Sequence, residues 1–94
     1  MRILGGRKLT EFAKVFSNAK SPLRSWETVI RSGSWKNPAE LRRTFGSVSF
    51  VEGRTVFNLG GNKFRLVSVF DYGLQTALIT HVLTHNDYDK GGWK

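Results

Sequence analysis

Apolar residues near the start of the chain recur at intervals of three and four residues, the spacing of one face of an α-helix. This spacing predicts a first helix from Arg7 to about Ala19. A second helix is predicted to begin with Ser21 as its N-cap and Pro22 in the first helical position, where the missing proline N–H costs nothing. The expected core faces are Leu9, Phe12, Ala13 and Phe16 in the first helix and Leu23, Trp26 and Ile30 in the second.

Cap signals mark the end of this helical pair and the start of a third helix. Gly33 is the expected stop of the second helix. Asn37 can cap a new helix with Pro38 in its first position, and Glu40 can bond back to the cap N–H. This third helix is predicted to be short and to end near Gly46.

Apolar and polar residues alternate through much of the second half of the chain, which is typical of β-strands. Strands are predicted at about 47–52, 54–59, 63–70 and 74–83, with a further short strand at 1–4. Gly60 and Gly61 can supply the positive φ angles that a tight hairpin turn requires. The order of elements predicts an α+β fold, with two to three N-terminal helices on one face of a mostly antiparallel sheet of four to five strands. The opposite face would remain available for a ligand.

The strand at 63–70 carries the first candidate site. Because side chains alternate between the two faces of a strand, Lys63 and Arg65 share one face with Val67 and Val69. The other face is expected to be core and consists of Phe64, Leu66, Ser68 and Phe70. Lysine offers a compact charge and arginine a planar fork, so the two cations can reach one phosphodiester. The alternative is a pair of solvated charges on an exposed strand.

A second candidate site follows the last predicted strand. His85 can move a proton near neutral pH, and Tyr88 can donate a hydrogen bond or a proton. Asp87 or Asp89 can orient the histidine. The alternative is a C-terminal turn with a surface histidine. A metal site formed with His81 has no third ligand at the usual spacing, so neither a metal nor another cofactor is predicted.

Aromatic residues could provide stacking surfaces for the bases of single-stranded nucleic acid. The candidates are Trp26, Trp35, Trp93 and Tyr72. Trp26 is better explained as helix core, and Trp35 as packing at the end of the helix pair. Trp93 lies in the tail 91–94, which is expected to be disordered.

Composition narrows the class of partner. The chain has 94 residues, enough for one domain with a modest core, and no cysteine, which excludes disulfides and thiolate metal sites. Its 15 Lys and Arg exceed its 7 Asp and Glu, and the net charge of +8 favours a polyanion or an acidic protein as partner. A basic domain without such a partner is the alternative. No apolar run approaches the ~20 residues of a membrane span, and no signal peptide is evident, so a cytoplasmic location is expected.

The sequence resembles the HigB family of bacterial toxins, within the RelE-like superfamily of toxin–antitoxin ribonucleases. The hairpin and the His-x-x-Tyr-Asp pattern carry the resemblance together. The similar segments are Val56–Val67, Thr84–Lys90 and, in the short-helix region, Trp35–Leu41 with Phe45. The likeness therefore extends over nearly the whole chain.

The resemblance implies a RelE-like fold in a single domain, residues 1–94, and an endoribonuclease toxin of the mRNA interferase type. Such toxins cleave mRNA, often on the ribosome, and arrest translation. They are held inactive by a cognate antitoxin, which in this family usually carries a helix-turn-helix domain, and the complex commonly binds operator DNA. Cleavage through the RNA 2′-OH needs no metal or other cofactor.

The resemblance and the chemistry of RNA cleavage together assign roles to residues. Cleavage requires activation of the 2′-OH, stabilisation of the phosphorane charge and protonation of the 5′-oxygen. Arg65 and Lys63 are assigned to the phosphate, His85 acts as general acid or base, and Tyr88 is an auxiliary donor or stacking platform. The RNA-binding residues are expected to be Asn58, Asn62, Arg54 and Lys90.

One position departs from the family pattern. Related sequences often place a basic residue in the last strand, where this chain has Thr80. His81 compensates only if it faces the site, and strand alternation predicts that Thr80 and His81 face opposite ways. Two other functions stay open: a non-catalytic RNA- or ribosome-binding module on the same basic sheet, and a subunit whose basic surface only docks an acidic partner.

Overall fold

The computed structural model describes residues 1–94 and confirms an α+β fold built on a five-stranded sheet. The strands are β1 (Arg2–Leu4), β2 (Ser49–Val51), β3 (Arg54–Leu59), β4 (Phe64–Asp71) and β5 (Thr76–Thr84). The helices are α1 (Arg7–Val15), α2 (Lys20–Ser32), α3 (Pro38–Thr44) and α4 (His85–Asp89). In space the strands follow the order β1-β5-β4-β3-β2, and only the β1–β5 pair is parallel. None of the helices has the length and apolar character that crossing a membrane requires.

The main core lies between the sheet and the three N-terminal helices, as the apolar periodicity predicts. At its centre the Phe57 ring packs edge-on against Trp26, with centroids 5.3 Å apart, and against Phe45 at 5.0 Å. Phe70 extends the cluster from β4, at 5.7 Å from Phe57. Tyr72 packs on Phe70 at 5.9 Å, and burial raises the pKa of its phenol. Edge-to-face aromatic pairs add stabilisation beyond the area they bury.

The boundary between α1 and α2 differs from the prediction. Helix α1 ends at Val15, and the backbone turns at Phe16 (φ −116°, ψ 88°) into a 3₁₀ turn that leads directly into α2. Helix α2 begins at Lys20, and its N-cap, Ala19, makes no side-chain cap bond. The prediction that Ser21 caps this helix is therefore wrong. Pro22 still lies in the first turn, where backbone N–H groups have no intrahelical partner.

Helix α3 has the predicted start. The Asn37 side chain accepts a hydrogen bond from the Glu40 N–H at 2.9 Å, and Pro38 is the first helical residue. The Glu40 carboxylate bonds to the Lys36 N–H at 3.0 Å, one residue before the expected Asn37 N–H. Gly33 terminates α2 as predicted, so capping signals fix both ends of the α2–α3 connection.

The hairpin between β3 and β4 forms around three consecutive residues with positive φ: Gly60 (+62°), Gly61 (+61°) and Asn62 (+78°). A Cβ at Gly60 would lie 2.8 Å from the Phe64 ring, so glycine is required there for space as well as for backbone conformation. Lys63 belongs to this turn, because β4 begins only at Phe64. The prediction that Lys63 is a strand residue in register with Arg65 is therefore wrong.

Trp93 covers part of the sheet face opposite the three helices. Val56 and Val67 are paired on neighbouring strands, and Trp93 covers both. Only 6% of the Trp93 surface is exposed, so the prediction of a disordered C-terminal tail is wrong. Burial of an otherwise exposed valine pair explains why the tail is ordered. Trp26 and Trp35 are also buried, and no tryptophan offers a stacking face to a base.

A β-bulge at Thr80 interrupts the alternation of β5. Val67 pairs with His81 and Ser68 pairs with Ile79, which leaves Thr80 as the extra residue. The Thr80 hydroxyl donates to the Val67 carbonyl oxygen at 3.1 Å, and His81 Nδ1 lies 3.1 Å from the same hydroxyl. The prediction that Thr80 and His81 point in opposite directions is wrong, because their side chains are hydrogen-bonded to each other.

Substitution of Phe57 by alanine is expected to reduce the free energy of unfolding by about 3–5 kcal/mol, because a fully buried ring leaves a cavity. Phe57 is 1% exposed, and the control Val15→Ala alters a side chain that is 75% exposed. The control should change stability by less than about 0.5 kcal/mol. Urea denaturation followed by circular dichroism measures both, and equal losses would contradict the assigned core.

Candidate functional site

The Arg65 guanidinium is held by acceptors from three segments of the chain. Nη1 donates to Asn58 Oδ1 at 2.9 Å, to the Asn62 carbonyl oxygen at 3.3 Å and to the Phe64 carbonyl oxygen at 3.2 Å. Nη2 donates to Asn62 Oδ1 at 2.8 Å and lies 2.8 Å from His85 Nδ1. Arginine has no acceptor, so the contact to His85 is a hydrogen bond donated by Arg65.

The hairpin explains why two asparagines meet this guanidinium. Asn58 on β3 is directly opposite Arg65 on β4, and the left-handed turn folds Asn62 back toward both. The Asn58 amide also donates to Asn62 Oδ1 at 2.9 Å. No carboxylate forms an ion pair with Arg65, so neutral amides orient its charge without neutralising it.

His85 is the first residue of α4. The Thr84 hydroxyl caps this helix by accepting the Asp87 N–H at 3.2 Å, and the His85 N–H donates to the Lys63 carbonyl oxygen at 2.9 Å. The second bond ties the start of α4 to the hairpin turn. One turn later, Asp89 Oδ2 lies 3.1 Å from His85 Nε2. The imidazole is thus located between a guanidinium and a carboxylate.

These contacts fix the tautomer of neutral His85. Nδ1 accepts from Arg65, so the ring proton is on Nε2 and points at Asp89. The His85 side chain remains 42% exposed, which leaves it accessible to a substrate. Removal of the guanidinium from Nδ1 would release a lone pair that can accept a proton, and Asp89 would stabilise the imidazolium that results.

Tyr88 lies beside the same guanidinium. Arg65 Cζ is 5.6 Å from the centre of the Tyr88 ring, a cation–π distance. The aromatic neighbour of Tyr88 is Trp93, whose ring is nearly parallel to that of Tyr88 (15°) with centroids 4.8 Å apart. The Tyr88 hydroxyl makes no hydrogen bond within the protein.

The structure brings together five of the eight residues predicted for the site: Arg65, His85, Tyr88, Asn58 and Asn62. Lys63 is exposed in the adjoining turn, and its side chain makes no hydrogen bond or ion pair. Lys90 is 3.6 Å from Asp87 in an exposed ion pair. Arg54 is located elsewhere on this sheet face, over the Trp93 ring at 5.5 Å.

For two members of the site, the sequence prediction was either incomplete or wrong. The sequence left the orienting carboxylate open between Asp87 and Asp89, and only Asp89 contacts His85. The signal was the spacing of four residues, which places His85 and Asp89 on one helix face once the segment is known to be helical. The burial of Trp93 gave no local signal, because Val56 and Val67, the residues it covers, lie far away along the chain in β3 and β4. No group of three potential metal-ligating side chains occurs in the structure.

Comparison with known proteins connects this site to a toxin family. The model of a family described as HigB toxin, the RelE-like toxic component of a toxin–antitoxin system, matches residues 19–91. The chain is 29% identical over 92 residues to the mRNA interferase toxin HigB of Escherichia coli K12. The aligned region covers 95% of this chain and 88% of that protein. It is 26% identical over 93 residues to the mRNA interferase HigB of Escherichia coli O6:H1, covering 96% and 90%. The family description implies an antitoxin partner.

Opposite tautomers are expected for the two histidines. Neutral His85 should carry its proton on Nε2, because Arg65 donates to Nδ1. Neutral His81 should carry it on Nδ1, because the Thr80 hydroxyl donates its only proton to Val67 and must accept from the ring. Long-range ¹H–¹⁵N correlation spectra, recorded where both rings are neutral, distinguish the tautomers. A protonated Nδ1 in neutral His85 would contradict the site geometry.

Proposed function

This chain belongs to the HigB family of RelE-like toxins, and we propose that it is an mRNA interferase: an endoribonuclease that cleaves mRNA, in association with the ribosome, and thereby inhibits translation. The observation that carries the proposal is the Arg65–His85–Asp89 series, in which a cation and a carboxylate flank one imidazole. The two relatives described above are both named mRNA interferases, which supports the same activity.

In the proposed reaction, the scissile phosphate draws the Arg65 guanidinium away from His85. Phosphate oxygens carry more negative charge than an imidazole nitrogen and accept stronger, charge-assisted hydrogen bonds. Nδ1 of His85 then removes the proton of the RNA 2′-OH, and the 2′-oxygen attacks phosphorus. Asp89 stabilises the imidazolium through Nε2. Binding of the phosphate is therefore coupled to the release of His85 Nδ1 from Arg65, which allows His85 to act as the general base.

The negative charge that develops on the phosphorane is stabilised by Arg65, with Lys63 contributing from the turn. The bond from phosphorus to the 5′-oxygen breaks, and the Tyr88 hydroxyl donates a proton to this leaving group. The His85 imidazolium then gives up its proton and Tyr88 regains one, both by exchange with water, so both residues return to their starting state. The products are a 2′,3′-cyclic phosphate and a 5′-hydroxyl. Both proton transfers of the cleavage step use side chains of this chain, so the proposed reaction requires no metal or other cofactor.

Partners follow from the same proposal. A cognate antitoxin with a helix-turn-helix domain neutralises the toxin, and operator DNA is bound only through that complex. Asn58, Asn62, Arg54 and Lys90 bind the RNA backbone on either side of the cleaved bond, consistent with the net charge of +8. Because mRNA is the substrate, the protein acts in the cytoplasm.

A non-catalytic RNA- or ribosome-binding module is the second candidate function. It is favoured by one observation: both Nη groups of Arg65 are already bonded to protein acceptors. On a surface that only binds RNA, this arrangement would persist and no strand would be cut. Mapping of mRNA ends after incubation with the purified protein, with and without ribosomes, separates the two functions.

Arg65→Ala and His85→Ala are each expected to lower the cleavage rate by at least about 10²-fold, because each removes a group that acts in the transition state. The matched control is Arg43→Ala, which removes an exposed arginine from α3 on the other side of the sheet. Mapped mRNA ends, growth arrest and thermal unfolding are measured for all three variants. Full cleavage by folded Arg65→Ala and His85→Ala proteins would refute the assigned site.

Asp89→Asn is expected to lower kcat about 5-fold with little change in KM. The amide keeps an acceptor for His85 Nε2–H but not the charge that stabilises the imidazolium, which at a half-exposed pair contributes about 1 kcal/mol. Asp87→Asn is the matched control, because that carboxylate pairs with Lys90 and does not contact His85. Equal losses in the two variants would show that His85 needs no carboxylate partner.

A further inference from the structure

The Trp93 side chain contacts both the ring and the backbone of Tyr88. Their rings stack with centroids 4.8 Å apart, and the indole Nε1–H donates to the Tyr88 carbonyl oxygen at 2.9 Å. Trp93 also makes apolar contacts with the sheet, where it buries Val56 and Val67. A residue beyond the matched family segment, 19–91, therefore joins the sheet to the segment that carries the candidate site.

Helix α4 has few other means of staying in place. It is five residues long and contains no buried residue. A helix of this length is not stable in isolation, so its position depends on contacts with the rest of the protein. Its first turn is held by the Thr84 cap and by the bond from His85 N–H to the Lys63 carbonyl oxygen. Its last turn is held through Tyr88 by Trp93.

The contact continues from Trp93 to the catalytic cation. Arg65 is within cation–π distance of the Tyr88 ring at 5.6 Å, and Arg54 lies over Trp93 at 5.5 Å. The four side chains form a connected series, Arg54–Trp93–Tyr88–Arg65, on the sheet face that carries His85. A Tyr88 ring that is confined by Trp93 in turn restricts where the Arg65 guanidinium can lie.

We propose that Trp93 is a positioning residue of the ribonuclease site, which holds the Tyr88 side chain in the orientation needed to donate to the leaving group and to confine Arg65. Trp93 is buried, with 6% of its surface exposed, so it has little surface with which to contact RNA directly. This inference rests on the proposed function for its kinetic consequence. The structural part, an immobilised Tyr88 ring, does not depend on whether the protein cleaves RNA.

Two substitutions separate stacking from simple burial. Trp93→Leu keeps an apolar cover on Val56 and Val67 but removes the stacked ring, whereas Trp93→Phe retains an aromatic face. Misplacement of a catalytic group by about 1 Å can cost up to about 10²-fold in rate. We expect kcat to fall about 10-fold or more in Trp93→Leu and to recover to within about 3-fold in Trp93→Phe, while KM changes less than about 2-fold because the cations remain.

A purely structural role is tested with a core substitution away from the site. Ile30→Val shortens a fully buried α2 side chain and serves as the destabilised control. Ile30→Ala replaces it if a larger loss is needed to equal the destabilisation measured for Trp93→Leu. All rates are measured on fully folded protein, at least ten degrees below each melting temperature. Equal loss of kcat in the Ile30 control and in Trp93→Leu would overturn the proposal, as would failure of Trp93→Phe to recover.

The Tyr88 ring provides a readout that is independent of activity. Nuclear Overhauser contacts between the Tyr88 ring and the Arg65 side chain should be present in the wild-type spectrum and weaken in Trp93→Leu. Chemical shifts alone do not report on the position of Tyr88, because loss of the indole ring current changes them even if Tyr88 stays in place. If the wild-type protein cleaves no RNA, the proposed function fails while this spectroscopic result still decides whether Trp93 orders Tyr88. Undiminished nuclear Overhauser contacts between the Tyr88 ring and Arg65 in Trp93→Leu would overturn the inference whatever the activity.

Discussion

The hydrogen bond from Arg65 Nη2 to His85 Nδ1, 2.8 Å long, joins the β-hairpin to the last helix, and the candidate site depends on it. The bond determines which imidazole nitrogen is free of a proton, and it directs the other nitrogen toward Asp89. A second bond, from the His85 N–H to the Lys63 carbonyl oxygen, anchors the same helix to the hairpin turn. Guanidinium and imidazole therefore keep their relative position as long as the hairpin keeps its shape.

The hairpin supplies acceptors of a particular kind. Asn58 and Asn62 orient Arg65 with amide and carbonyl oxygens, which fix the plane of the guanidinium and leave its full charge in place. Carboxylates in the same positions would bind the guanidinium more strongly but would neutralise its positive charge. The left-handed conformation at Asn62 is the local condition for this arrangement, and asparagine is among the few residues other than glycine that adopt it readily.

Local sequence patterns were sufficient to predict the features that depend on neighbouring residues alone. The α3 cap at Asn37, the stop at Gly33 and the β3 strand bounds follow from side-chain types within a few residues. The Thr80 bulge could not be inferred in this way, since it depends on how two distant strands adjust their register. The order of the tail depends similarly on a valine pair that only the folded sheet creates, which explains why Trp93 was misassigned.

The site was predictable as a set of residue types but not as a set of contacts. Arg65 and His85 were identified as the charged and titratable groups, yet no pattern indicated that one would donate to the other. This contact changes the expected chemistry, because a guanidinium bonded to the base nitrogen blocks it. Under the proposed mechanism the base is generated only when a phosphate competes for Arg65, so the bond that organises the site at rest must break for the reaction to begin. A lysine at this position would carry the same charge without the planar fork that reaches Asn58, Asn62 and His85 together, and the coupling would be lost.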